Sequence, residues 1–206
     1  LTPIIEREGL RDLYDTLELP LIPVIASMEQ AGVALDMPYL AEFSDRLGTQ
    51  INDLEQEIFD LSGGYGEFNV NSPKQLNDVL FGKLGLPVEG LRKTTHGYST
   101  DAVTLDALKD EHEIVARIIN YRELTKLKGT YVDALPELVN PHTGRVHTSY
   151  NQTGTSTGRL SSSNPNLQNI PIRTEVGREV RRAFIAPEGK ILLAVDYSQI
   201  ELRVMA

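Results

Sequence analysis

Ile191-Leu192-Leu193-Ala194-Val195-Asp196-Tyr197-Ser198-Gln199-Ile200-Glu201-Leu202-Arg203 is the stretch on which the reading of this chain turns. Five consecutive apolar residues, too few for a typical helix, predict a buried strand over 191–195. Asp196 then stands at the end of that strand. Glu201 follows about one and a half turns later if a helix begins there. A carboxylate at the tip of a buried strand suits Mg²⁺, a hard ion that takes oxygen ligands and shares them with substrate phosphates. The plainer alternative is an Asp that caps the next helix, and Glu201 taken alone reads more readily as a residue on an exposed helix face.

Upstream, Arg145 to Asn151 has strand character, the polar run Gln152–Gly158 reads as a turn, and further strands are expected up to Asp196. Before Pro141 the period is helical. Residues 1–18 read as a polar, acidic helix, and Pro20–Ala31 as a short helix ended by Gly32, with Val33-Ala34-Leu35 extended after it. Asp36 is placed to cap a long helix with Pro38 in its first turn. Leu40, Phe43, Leu47, Ile51, Leu54, Ile58 and Leu61 recur at spacings of three and four, a narrow apolar seam on a helix of about 24 residues, roughly 36 Å long. Gly63-Gly64 ends it. Ser72-Pro73-Lys74-Gln75 is a capping box that opens a shorter helix ending near Gly85. A loop is expected over 85–100 and a helix over about 100–110. A longer helix over about 112–135 follows, with Ile114, Ile118, Tyr121, Leu124, Leu127 and Tyr131 on one face. The two long helices are expected to pack antiparallel as a stalk. Helices first and strands afterwards make the fold class α+β.

The 206 residues leave room for one or two domains with a real core. The absence of cysteine excludes disulfides and thiolate metal sites and suits a reducing cytoplasm. No apolar run approaches the ~18 residues of a membrane span, and no basic-then-apolar signal opens the chain, so no membrane partner is expected. The chain opens on Leu1 without Met, which predicts a piece of a longer protein. Net charge is −9, yet residues 1–60 hold 13 acids against 3 bases, while the remainder is nearly balanced. Between Pro141 and Ile185 six arginines face two glutamates. Such a local basic patch fits phosphate binding, and a merely solvated basic face is the bland alternative. His96, His112, His142 and His147 lack zinc-ligand spacing, His147 reads as structural, and there is no G-x-x-x-x-G-K-[ST] loop.

The octet Asp196–Arg203 resembles motif A of the family A DNA polymerases, the bacterial DNA polymerase I type. Thr157-Gly158-Arg159-Leu160-Ser161-Ser162 with Asn164-Pro165-Asn166-Leu167-Gln168-Asn169-Ile170-Pro171 is similar to a second block of that family. Ser72–Leu76 and Tyr121–Lys128 fit the family's thumb, and the resemblance runs from about Leu19 to Ala206. One departure is Ser156 where the family usually has Ala.

The resemblance implies a helical thumb stalk followed by the first strands of a palm-type antiparallel sheet, truncated. It divides the chain into residues 1–19, a remnant of a preceding exonuclease-like domain; 20–35, a palm-associated helix; 36–139, the thumb; and 140–206, the beginning of the palm. The implied activity is DNA-directed addition of deoxynucleotides to a primer 3′ end in DNA replication or repair, by two-metal nucleotidyl transfer. Asp196 would be catalytic and hold two Mg²⁺ ions with the carbonyl of Tyr197. Ser198, Gln199, Ile200 and Glu201 would line the nucleotide pocket, Glu201 excluding a ribose 2′-hydroxyl. Arg159 would reach minor-groove acceptors at the primer terminus, with Asn166, Gln168 and Asn169 along the duplex. Arg173, Lys74, Thr94 and Ser99 would contact DNA through phosphates, on charge and neighbourhood alone, with Lys93, Thr95, Arg181 and Arg182 further candidates of the same kind. Partners would be primer–template DNA and deoxynucleoside triphosphates, the full-length protein monomeric and cytoplasmic in a bacterial or phage-infected cell. The family's fingers Arg/Lys/Tyr helix and His-Asp-Glu motif do not occur in these residues, so the isolated chain is expected to be inactive. The alternatives are a non-catalytic primer–template binding module and a partly folded fragment with neither activity.

Overall fold

The computed structural model describes residues 2–95 and 97–206; Leu1 and His96 lie outside the described residues. The chain is α+β and forms two compact units. One unit comprises the chain up to Asp36, Leu138–Asn169 and Arg181–Ala206; the other comprises Met37–Glu137 and Ile170–Val180.

In the first unit the helices Thr2–Arg7 and Arg11–Leu13 lead through a π-helical stretch, Tyr14–Glu18, into the helix Leu19–Ala31. Gly32 ends it at φ 59°, and a Cβ there would lie within 2.8 Å of the His147 ring and of the Val146 carbonyl oxygen. Only glycine meets both demands. The chain turns into Val33–Leu35, an inner strand of a four-stranded antiparallel sheet ordered Val139–Asn140, Arg145–Val146, Val33–Leu35, Phe184–Ile185. Val33 pairs with Val146, and Ala34 with Arg145 on one side and Ile185 on the other. Arg145 anchors this corner through its Nη2, which donates to the Gly32 carbonyl at 2.9 Å. His147 is held at both ring nitrogens, by the Glu29 carbonyl and the Thr143 hydroxyl, each at 2.7 Å. A second antiparallel pair joins Ser149–Asn151 to Ser161–Ser163.

In the second unit the helices Met37–Leu61 and Glu113–Leu127 run antiparallel. Ser44 meets Lys128 at 2.8 Å, Glu55 meets Tyr121 at 3.3 Å, and Glu57 meets Arg117 at 2.6 Å, so one helix ascends as the other descends. The predicted seam is the core-facing one: Leu40, Phe43, Leu47 and Ile58 are buried, and Ile51, Leu54 and Leu61 are partly buried. Leu76, Val79 and Leu80 close the core from the short helix Pro73–Asn77 and the π-helical turn after it, with Leu105, Ile114, Val115 and Ile118 opposite.

Several local expectations differ from the structure. Ser72 does cap the helix, its hydroxyl facing the Gln75 N–H at 3.5 Å, but Gln75 Oε1 accepts from Asn69 N–H at 2.8 Å, because the Ser72 N–H already serves the Asn69 carbonyl. The 85–100 loop contains a small hairpin, Lys93–Thr94 with Gly97–Tyr98. The helix expected over 100–110 is Ala102–Ala107, capped by Asp101, which accepts from Thr104 N–H at 2.9 Å. The last long helix gives way at Lys128–Val132 to a wider π-helical turn, whose Asp133 N–H reaches the Lys128 carbonyl at 2.9 Å. That turn puts Lys128 Nζ within 2.8 Å and 3.0 Å of the two Asp133 carboxylate oxygens. Where only strands were expected before Asp196, the structure has a helix, Glu175–Arg182. The run 191–195 is not a strand: Ile191 is 86% and Val195 83% exposed, and no strand pairs with it among the described residues. An apolar run makes a strand only where a neighbour satisfies its ladder and a layer covers its face.

Candidate nucleic-acid and metal-binding site

The site begins in the turn that joins Ser149–Asn151 to Ser161–Ser163. The Thr155 hydroxyl donates to the Arg159 carbonyl at 2.7 Å and closes that turn. Arg159 then projects into solvent, and its Nη2 lies 3.5 Å from Glu201 Oε1. Glu201 sits in the first turn of the helix Ile200–Met205, where the positive end of the helix favours a carboxylate. The residue before this helix, Gln199, adopts a left-handed conformation at φ 52°. Arg203 fastens the turn from behind, its Nε donating to the Ser198 carbonyl at 3.0 Å and its N–H to the Gln199 carbonyl at 3.1 Å. Asp196 and Tyr197 stand exposed just ahead of this turn. Asp196 is therefore presented from an extended, uncovered segment, and the sequence expectation of a strand tip is corrected accordingly.

The carboxylate of Asp196 and the carbonyl of Tyr197 are hard oxygen donors, the kind Mg²⁺ takes, but they are two of the about six ligands its octahedral shell requires. Among the described residues no group of three His, Cys, Asp or Glu side chains could hold an ion. The donors fit the ion in kind but supply only part of its shell.

The block Asn164–Asn169 is held by buried hydroxyls. Thr148 Oγ1 lies 2.8 Å from Ser162 Oγ and 2.6 Å from the Pro165 carbonyl, and Ser162 Oγ accepts from Leu167 N–H at 3.0 Å. Asn166 Oδ1 accepts from Gln168 N–H at 3.0 Å, and Gln168 Nε2 donates to the Leu160 carbonyl at 3.2 Å. Asn169 ends the short 3₁₀ turn that starts at Leu167. These residues belong to the same unit as Arg159, Asp196 and Glu201.

Arg173, Lys74, Thr94 and Ser99 belong to the other unit. Arg173 is exposed in the turn before the helix Glu175–Arg182, and Lys74 is exposed in the first turn of Pro73–Asn77. Thr94 Oγ1 donates to the Gly97 carbonyl at 3.2 Å. Ser99 is buried, its hydroxyl accepting from Asp101 N–H at 3.2 Å. Pro73, Thr94, Tyr98, Ser99, Asp101 and Arg122 line a shallow depression of about 390 Å³. Arg122, to which the sequence assigned no role, donates to the Thr100 carbonyl there, and burial lowers its pKa. Its sequence signals are its place beside Tyr121, at the edge of the apolar seam, and within the segment Tyr121–Lys128 that resembles the family's thumb. The Asp101 carboxyl is held down to about 2 by the Thr104 amide, with the Ser99 and Thr104 hydroxyls and the charge of Arg92 assisting.

A family model described as DNA polymerase family A matches residues 37–206. DNA polymerase I of Chloroflexus aurantiacus is 57% identical over 201 residues, covering 96% of this chain and 21% of that protein. The thermostable DNA polymerase I of Thermus aquaticus is 56% identical over 199 residues, covering 97% of this chain and 24% of the relative. The chain thus spans about a fifth to a quarter of the curated relatives it matches. Among solved structures, the POL domain of Pol1 from M. smegmatis, in complex with DNA primer-template and dNTP, superposes with a TM-score of 0.84 at 42% identity, covering 98% of this chain and 35% of that one.

Proposed function

Because the chain belongs to DNA polymerase family A, we propose that it is part of a DNA-directed DNA polymerase that extends a primer in bacterial DNA replication or repair. The observation that carries the reading is the 3.5 Å approach of Arg159 to Glu201, which joins two motifs 42 residues apart in sequence. Both side chains are more than 70% exposed. An ion pair so open contributes little to stability, so each group is available to a substrate at small cost.

In the proposed reaction the primer 3′-oxygen bonds to the α-phosphorus of a deoxynucleoside triphosphate. The bond to the bridging oxygen breaks, pyrophosphate leaves with its electron pair, and the hydroxyl proton passes to solvent. Asp196 and the Tyr197 carbonyl would hold Mg²⁺ from this side. When bound, such ions supply the positive charge that offsets the attacking and leaving oxygens. Ser198, Gln199 and Ile200 line the nucleotide pocket. Glu201 stands where a 2′-hydroxyl would collide, which selects deoxyribose by a penalty on the wrong substrate. Arg159 tests pair geometry through minor-groove acceptors that every base pair presents. Asn166, Gln168 and Asn169 follow the duplex, while Arg173, Lys74 and Thr94 engage its backbone without reading sequence; Ser99, buried and bonded to the Asp101 N–H, supports the surface beside them and does not itself reach a phosphate.

Within this reading residues 1–19 end an exonuclease-like domain, 20–35 belong with the palm, 36–139 are the thumb and 140–206 begin the palm. The whole protein works as a cytoplasmic monomer, and the 206 residues alone bind primer–template without extending it. Primer extension by the full-length protein, dependent on Mg²⁺ and abolished by Asp196→Ala, is the test. Glu201→Ala is expected to raise ribonucleotide incorporation relative to deoxynucleotide. Salt-sensitive duplex binding with no extension by the full-length protein would leave the non-catalytic binding module as the function.

A further inference from the structure

We propose that Arg178 and Gly177 are positioning residues for Arg173, fixing the backbone from which its guanidinium meets a DNA phosphate; this rests on the reading of Arg173 as a phosphate contact. A cation on a loose turn spends much of its binding energy on ordering that turn. Here the turn is already closed. Arg178 Nη1 bends back to donate to the Arg173 carbonyl at 3.2 Å and the Ile172 carbonyl at 3.5 Å. Thr174 Oγ1 accepts from Gly177 N–H at 3.1 Å, and the Thr174 carbonyl accepts from Arg178 N–H at 3.0 Å. Gly177 is buried, and a Cβ there would lie 2.7 Å from the Pro171 Cβ and 2.9 Å from Thr174 Oγ1. The turn can therefore close only over a residue without a side chain.

The helix behind the turn is itself anchored. The Glu179 carboxylate pairs with Arg46, and its carbonyl accepts from the Tyr39 hydroxyl at 3.2 Å. The Arg46 guanidinium lies over the Phe43 ring, 4.9 Å from its centroid. Phe43 is among the largest fully buried side chains, and Val180 is buried at the end of the same segment. A continuous set of contacts thus runs from the core to the Arg173 backbone. Arg178, itself exposed, commits one guanidinium nitrogen to two carbonyls of the turn, the placement of a brace.

The test is a double-mutant cycle read by salt titration of the 206-residue chain binding a fluorescent primer–template duplex. Arg173→Gln is expected to weaken binding about tenfold and to lower the logarithmic salt slope by about 0.9, the share of one phosphate contact. Arg178→Gln should do the same, and so should Gly177→Ala, which changes no charge. The double variant R173Q/R178Q should bind no more weakly than R173Q, because both remove one interaction. Each variant should keep the wild-type thermal midpoint to within a few degrees. Additive losses, with a slope change of about 1.8 in the double variant, would make Arg178 a direct contact and overturn the inference. Wild-type binding by Arg178→Gln and Gly177→Ala would also overturn it, as would loss of their cooperative thermal transition. Failure of the wild-type chain to bind the duplex would instead remove the DNA-binding reading beneath it.

Discussion

Ile58 and Ile191 carry the same side chain in opposite surroundings, and truncating each to alanine separates them. Ile58 has no exposed surface and sits among Leu76, Leu80, Ile114 and Ile118 in the helical core. Ile58→Ala removes the equivalent of three buried methylenes at about 0.8 kcal/mol each, or about 2.4 kcal/mol. A residual void of roughly 60 Å³ at about 24 cal/mol per Å³ adds about 1.4 kcal/mol. The expected loss is therefore about 4 kcal/mol, a large part of the ~5–15 kcal/mol that holds a typical domain together. Ile191 is 86% exposed, so Ile191→Ala should change stability by less than about 0.5 kcal/mol. Urea unfolding followed by far-UV circular dichroism reads both. At a slope near ~2 kcal/mol per molar, Ile58→Ala moves the midpoint down by about 2 M with the slope unchanged, and Ile191→Ala leaves it in place. A cost below about 1 kcal/mol at Ile58 would refute the placement of the core. A cost above about 1 kcal/mol at Ile191 would refute its exposure and restore the buried strand that the sequence suggests.

Other consequences concern charge. The Asp101 carboxyl lies near 2, below its ordinary 3.8, so the stability it contributes is present above about pH 4 and is lost as pH falls toward 2; an NMR titration of the carboxyl checks the value, and Asp101→Asn should flatten the acid limb of the melting profile. Partial burial alone would raise Asp133, but hydrogen bonds from Lys128 and Ser44 and the charge of Lys128 outweigh it, leaving the pKa lowered. Its contribution likewise disappears as pH drops below the usual carboxylate range, and Lys128→Met should move the measured Asp133 pKa upward. Tyr121 is displaced the other way, raised by burial and by Glu55. The folded chain keeps it neutral, so its contribution falls as pH rises past the ordinary tyrosine value, and ultraviolet titration should show it ionising after the exposed tyrosines. Glu201→Gln breaks the 3.5 Å pair with Arg159, yet both groups are open to solvent, so the melting midpoint should stay within a few degrees of wild type.

Much of this chain was legible because the features were local. The seam from Leu40 to Leu61 follows helical geometry, and the same residues face the core. The Ser72 cap is set by neighbours within a few positions, whereas the close approach at Gly32 and the ladder of Val33–Leu35 depend on Val146, His147 and Phe184–Ile185, far along the chain. The helix Glu175–Arg182 was legible in principle: Thr174 caps it, Glu175 opens it, and Arg181 and Arg182 close it. Its short length and single buried apolar side chain, Val180, hid the helical period. The octet Asp196–Arg203 and the Thr157–Pro171 block identified the family directly, since motif identity is a property of sequence order. Tertiary structure alone decided what each of these segments touches. Arg159 meets Glu201 only because a turn and a helix end converge, and Arg46 pairs with Glu179 only because elements 133 residues apart pack together. The run 191–195 makes the limit plain: its composition prescribes a buried strand, but burial requires a partner strand and a covering layer, and neither is encoded in the run itself.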